Sequence, residues 1–149
     1  MGELRAIWIK QMSRGPMDKE ISGRLVENQG LENNADQGGK RQITLMEEEV
    51  WTELMDQFNE KLSPATRRAN LMLKGIRLAH SKGKTLQVGP CQIKIYGETT
   101  PCYRMDEALP GLKNALKEHW RGGAYGVVLN SGEIQEGDSV SWVKNEEMP

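Results

Sequence analysis

Leu86-Gln87-Val88-Gly89-Pro90-Cys91-Gln92-Ile93-Lys94-Ile95-Tyr96-Gly97 carries the pattern that decides the fold. Leu86 and Val88 alternate with polar neighbours, Gly89-Pro90 interrupts, and the alternation resumes from Cys91 to Tyr96. A period of two marks a half-buried strand, and Gly and Pro mark the turns between strands. The second run sets Cys91 on the face of Ile93 and Ile95. Cysteine packs as a small hydrophobe and is among the most buried residue types, so Cys91 reads as a core thiol.

Short strands recur outward from this stretch. Leu4 to Lys10 reads as a strand with Ala6 and Trp8 on one face and Ile7 and Ile9 on the other. Ile21 to Val26, Arg41 to Leu45, Ala124 to Leu129 and a last strand carrying Val140 and Trp142 complete the strand set. Gly15-Pro16, Arg121-Gly122-Gly123 and Ser131-Gly132 break the runs. Trp51, Leu54, Met55, Phe58 and Leu62 form one apolar stripe, so a helix follows Glu47-Glu48-Glu49 and ends before Ser63-Pro64. A second helix spans Pro110 to Trp120, with Leu112, Ala115 and Leu116 inward. About seven short strands and two helices, without βαβαβ alternation, favour a mainly β barrel or sandwich. Residues 1–149 read as one domain. Residues 27–40, rich in Asn, Gln and Gly, read as a long mobile surface loop, and 145–149 as a frayed tail.

The chain has 149 residues with 20 Lys+Arg against 21 Asp+Glu, a formal charge of −1. Mean hydropathy is −0.65. That balance supplies no global attraction to nucleic acid or an anionic membrane surface, so neither is expected as a partner. No apolar run reaches the roughly 20 residues of a membrane helix. The N-terminus does not read as a signal peptide, and the two cysteines lack CxxC or zinc-site spacing. A cytoplasmic chain with reduced thiols is the expectation. Ser/His/Asp and Cys/His arrangements, GxGxxG and a P-loop are all missing, and His80 and His119 are weak signals.

Cys102 stands apart. It lies in Gly97-Glu98-Thr99-Thr100-Pro101-Cys102-Tyr103-Arg104-Met105-Asp106, directly after a proline and just before a helix start. A nearby cation and a helix N-terminus both favour thiolate, the form that acts as nucleophile or metal ligand. Taken alone, this stretch is equally compatible with a packed loop cysteine. Asp106 would cap the helix or orient Arg104. Arg67, Arg68, Arg104 and Arg121 flank strand ends, where guanidinium groups suit phosphate or oxyanion recognition, although each taken singly reads as an ordinary surface residue. Asn70 adds a donor and an acceptor beside Arg67-Arg68.

The run around Cys102, followed by Pro110-Gly111-Leu112 and Trp120-Arg121-Gly122-Gly123, resembles the MOSC domain family, named for the C-terminal domain of molybdenum cofactor sulfurases. Arg67-Arg68-Ala69-Asn70-Leu71 with Gly75, Gly30-Leu31, Arg41-Gln42-Ile43-Thr44-Leu45, and Gly132-Glu133-Ile134 with Gly137-Asp138 extend the resemblance from about Pro16 to Val143. It is similar to the small stand-alone bacterial members. The resemblance implies a MOSC-type β-barrel related to the pyruvate-kinase barrel, with a few peripheral helices. It implies that Cys102 carries sulfur as a persulfide, or binds molybdenum or molybdopterin. Arg67 and Asn70, with Arg68, Arg104, Asp106 and Arg121 beside them, would hold the molybdenum cofactor. One departure is that no histidine follows Gly30-Leu31. The chain also lacks the pyridoxal-phosphate domain of the fusion sulfurases, so pyridoxal phosphate is not expected on it. A cysteine desulfurase or other sulfur donor, and a molybdoenzyme or metal–sulfur acceptor, are the implied partners. Sulfurtransferase-like or cofactor-dependent activity would follow. The alternative is a non-catalytic binding or detoxification module whose exposed thiol captures a small electrophile or thiophilic ligand.

Overall fold

A computed structural model describes residues 2–144. The tail at 145–149 lies outside the described residues. The strands are β1 (Gly2–Ile9), β2 (Asp18–Glu20), β3 (Ser22–Val26), β4 (Gly30–Leu31), β5 (Ile43–Glu47), β6 (Leu71–Lys74), β7 (Thr85–Val88), β8 (Cys91–Glu98), β9 (Ala124–Val128), β10 (Gly132–Gln135) and β11 (Ser139–Trp142). The α-helices are α1 (Glu48–Phe58), α2 (Arg104–Ala108) and α3 (Leu112–Lys117).

Seven strands close a barrel in the order β11-β7-β8-β9-β5-β6-β1, sealed by pairing of β1 with β11. Closure removes the free strand edges that an open sheet would expose. Leu86 pairs with Ile93 and Val88 with Cys91, so the two alternating runs form an antiparallel pair across Gly89-Pro90. All barrel pairings are antiparallel except β5 with β6, whose parallel connection runs through α1. A small second sheet, β10-β3-β4, takes in Gly30-Leu31. Segment 27–40 is therefore more structured than a surface loop. Leu31 and Asn34 are buried, and backbone N–H groups of Ala35 and Gly38 donate to Lys10 and Gln29 carbonyls.

Two apolar layers sort by strand parity. Ile7, Ile43, Leu45, Leu71, Leu73, Ile93 and Cys91 fill the barrel. Ala6, Trp8, Met46 and Met72 point outward and pack on Trp51, Leu54, Met105, Leu112 and Leu116 of the three helices. Leu4 faces the barrel although Ala6 and Trp8 face out. A register shift between Leu4 and Ala6 explains it, because one unpaired residue flips the alternation. The expected second helix is broken into α3 and a 3-10 turn, Glu118–Trp120, where His119 adopts φ 51°. No helix among the described residues is long and apolar enough to cross a membrane.

Two consequences are testable. Gly123 has φ +96°, and a Cβ there would run into the Leu45 carbonyl where β9 meets β5. Gly123→Ala is predicted to lower unfolding free energy by at least about 2 kcal/mol, read from urea midpoints. Burial pushes the Cys91 thiol up; Arg24 opposes this and Asp138 adds to it. A thiol raised in the folded state contributes stability below its unfolded value, about 8.5, and loses it as pH rises through the folded value. In a Cys102→Ser background, stability is predicted to fall above about pH 8.5. Cys91→Ala should flatten that slope.

Candidate functional site

β8 delivers the chain to the site. After Glu98 the backbone leaves the barrel, and the Thr99 N–H donates to the Gly123 carbonyl at 2.8 Å. Thr100 and Pro101 carry it to Cys102, whose thiol is exposed. The Cys102 carbonyl accepts from the Met105 N–H at 3.0 Å and opens α2. At five residues α2 is too short for the helix-terminus effect expected from sequence to matter much. Cationic side chains surround the thiol instead.

Cys102 lines a cavity of about 330 Å³ together with Lys10, Arg14, Arg41, Arg67, Arg68 and Arg104. No acidic side chain lines it. Lys10 pairs with Asp36 at 3.1 Å. Among the described residues none of the five arginines has a carboxylate partner. They arrive from separate segments: the turn after β1, the approach to β5, the 3-10 turn Pro64–Arg67, and α2.

Arg67 is the anchor, at 6% exposure. Nε donates to the Gly122 carbonyl at 3.0 Å and Nη2 to the Thr99 carbonyl at 3.3 Å. Burial, then the neighbouring Arg41 cation, lowers this guanidinium from its ordinary value to about 10, and the Cys102 sulfur opposes the shift. Burial thus disfavours the charged form of Arg67. Gly122 must be glycine here, since a Cβ would meet the Thr99 carbonyl and crowd Arg67. Arg68, with φ 65°, donates to the Gly15 carbonyl at 2.6 Å and ties the turn after β1 to the cavity wall. Burial and then Arg104 lower the Arg68 guanidinium, with Cys102 again opposing.

Three candidates go elsewhere. Asn70 is buried and spent on structure: Oδ1 accepts from the Thr44 N–H and hydroxyl, while Nδ2 donates to the Trp8 carbonyl and to Asn34 Oδ1. Asp106 lies within α2, and its Oδ1 accepts from the Lys113 N–H, so it caps α3 rather than its own helix. Arg121 pairs with Glu53 at 3.3 Å in a separate cleft of about 440 Å³, which mixes Glu47, Glu49 and Glu53 with Arg77 and His119. That cleft is larger but lacks a thiol. Lys10, Arg14 and Arg41 were not singled out from sequence. Arg41 and Lys10 flank strands, and nothing local says that their side chains converge. Gly122-Gly123 read only as a turn, although both residues brace the site.

No curated protein matches the chain at a significant level. Solved structures share its fold at low identity. YuaD from Bacillus subtilis superposes with a TM-score of 0.77 at 16% identity, covering 94% of each chain. YiiM from Geobacillus stearothermophilus gives 0.74 at 16% identity, covering 99% of this chain and 77% of its own. YiiM from Escherichia coli gives 0.72 at 16% identity, covering 96% and 70%. The MOSC domain model matches residues 27–141, most of the barrel and the whole Cys102 loop. The chain belongs to the MOSC domain family.

Proposed function

We propose that this protein is a sulfur carrier that uses Cys102 as a persulfide beside a pocket for the anionic molybdenum cofactor. The observation that carries the reading is an exposed thiol in a cavity lined by six cations and no acid. MOSC domains are associated with the molybdenum cofactor in general. The donor set fits such a group. Arg67, Arg68, Arg104 and Arg41 would hold its phosphate or oxo oxygens, and a soft thiolate suits a thiophilic metal. Among the described residues no cluster of three or more His, Cys, Asp or Glu could hold a metal ion, so the other ligands of a metal on Cys102 would come from the cofactor. When bound, the cofactor supplies a thiophilic, redox-active centre.

The chain's own chemistry is sulfur exchange. The Cys102 thiolate attacks the outer sulfur of a donor persulfide. The new Sγ–S bond forms as the donor S–S bond breaks, and the donor leaves as thiolate. Sulfane sulfur moves without net redox change, and the surrounding guanidinium groups stabilise anionic sulfur before and after transfer. The donor is a cysteine desulfurase or an equivalent persulfide-bearing protein. The acceptor is a molybdoenzyme or another metal–sulfur centre.

Incubation with a cysteine desulfurase and cysteine is predicted to add about 32 Da, one sulfur atom, to the protein. Cys102→Ser should abolish the adduct in intact-mass spectra and Cys91→Ser should keep it. Absence of the adduct on an accessible Cys102, with inorganic polysulfide as well as with the desulfurase, sinks the carrier reading and favours capture of another thiophilic or electrophilic ligand. A second prediction concerns the unpaired cations. Saturating molybdate, at about 100 times Kd, should stabilise the fold by ~2.7 kcal/mol and raise Tm by roughly 5–10 °C, with no such effect from chloride at matched ionic strength. Arg68→Ala and Arg104→Ala should each weaken that binding by about tenfold or more.

A further inference from the structure

Around the mouth of the Cys102 cavity the surface changes character. Among the described residues, five large hydrophobic side chains are exposed. Two of them belong to segments that build this cavity. Tyr103, 56% exposed, lies between Cys102 and Arg104. Met12, 65% exposed, sits in the turn after β1, next to the lining residues Ser13 and Arg14. Arg14 and Arg41 are exposed, and neither has a carboxylate partner among the described residues. Arg68 fastens the Met12 turn to the cavity wall through the Gly15 carbonyl. An exposed aromatic and an exposed methionine, each next in sequence to residues that line the cavity, match the composition of a protein-docking surface, where Tyr, Met and Arg are enriched.

We propose that this mouth docks an acidic, persulfide-bearing surface of the sulfur-donor protein. Tyr103 and Met12 would serve as apolar anchors and Arg14 and Arg41 as the steering charges. The proposal rests on the carrier reading above and goes beyond it by assigning the partner's surface. The occupant follows from charge complementarity. The chain as a whole is −1, yet this mouth gathers five arginines without a carboxylate partner among the described residues, which favours an acidic partner surface here. A second observation supports a ligand at this place: Arg67, nine-tenths buried, lines the same cavity without a carboxylate. Nucleic acid is the poorer occupant, because the cations occupy one small mouth and the sulfur on Cys102 must come from a persulfide donor. The reaction at the docked mouth is the exchange already balanced: donor persulfide and Cys102 thiolate become donor thiolate and Cys102 persulfide.

The test compares two sulfur sources on the full-length protein. Cys102 persulfidation is followed by intact mass, using either a purified cysteine desulfurase charged with cysteine or inorganic polysulfide. The paired variant Met12→Ala/Tyr103→Ala changes no charge and leaves the cavity cations in place. It is expected to slow loading from the desulfurase about tenfold, at limiting donor, and to leave polysulfide loading unchanged. Arg14→Glu should slow the protein donor further, and moderate salt should slow the protein donor more steeply than it slows polysulfide. Equal effects on both sources overturn the docking proposal. So does loading by polysulfide with none from the protein donor; the carrier reading then stands. Failure of both sources overturns the carrier reading and the docking proposal with it. An RNA oligonucleotide that competes with the protein donor better than polyglutamate of equal charge also overturns the proposal, by assigning the mouth to nucleic acid.

Discussion

The Arg67 guanidinium holds the site together by gripping two backbone carbonyls that are distant in sequence. Thr99 follows β8 and Gly122 precedes β9, and the carbonyl oxygens of both accept from one side chain. The same two segments are joined directly by the Thr99 N–H and the Gly123 carbonyl. The loop carrying Cys102 therefore leaves the barrel at a fixed point, and the thiol stands on rigid scaffold. Neutral carbonyls orient the guanidinium without cancelling its charge. The fold thus holds a buried cation that no carboxylate among the described residues neutralises.

Charge is distributed unevenly in this chain of nearly zero net charge. Lys10, Arg14, Arg41, Arg67, Arg68 and Arg104 are separated along the chain, and barrel closure brings them to one end. Acidic residues are as numerous overall, but they are used elsewhere. Glu47 and Glu49 accept from backbone N–H groups of Leu78 and Gly75, and Glu53 pairs with Arg121. The separation of charge, and not its total, creates the local field. Cys102 is exposed in that field, while Cys91 is sealed in the barrel with its thiol pushed up by burial.

The helical layer supports the site from behind. Met105 of α2 and Leu112 and Leu116 of α3 pack against Trp8, Met46 and Met72, the outward residues of β1, β5 and β6. Asp106, by capping α3, locks α2 to α3 and so fixes the direction in which Arg104 leaves α2. Asn70 performs a similar task beneath the arginines, joining β1, β5 and the Asn34 turn through four hydrogen bonds. The contribution of both residues is geometric: they hold the elements on which Arg67, Arg68 and Arg104 are mounted.

Much of this was legible in the linear pattern. Alternation from Leu86 to Tyr96 identified a paired set of strands and assigned Cys91 to the core, because parity depends on nearest neighbours alone. The apolar stripe of α1 and the singular setting of Cys102 were legible for the same reason, as was the family likeness around Cys102. Local pattern failed where long-range contact decides. The diversion of Arg121 to Glu53 joins residues 68 positions apart, while the break of the second helix at His119 and the pairing of Gly30-Leu31 with β3 leave no mark in the alternation or the apolar stripes. The convergence of Lys10, Arg14 and Arg41 on the thiol is of the same kind. The chain's order set which residues are candidates for chemistry and, apart from the bulge in β1, which face of each strand is buried. Barrel closure decided which of those residues meet, since proximity across a closed sheet comes from register and topology, and neither is written in the neighbourhood of any one residue.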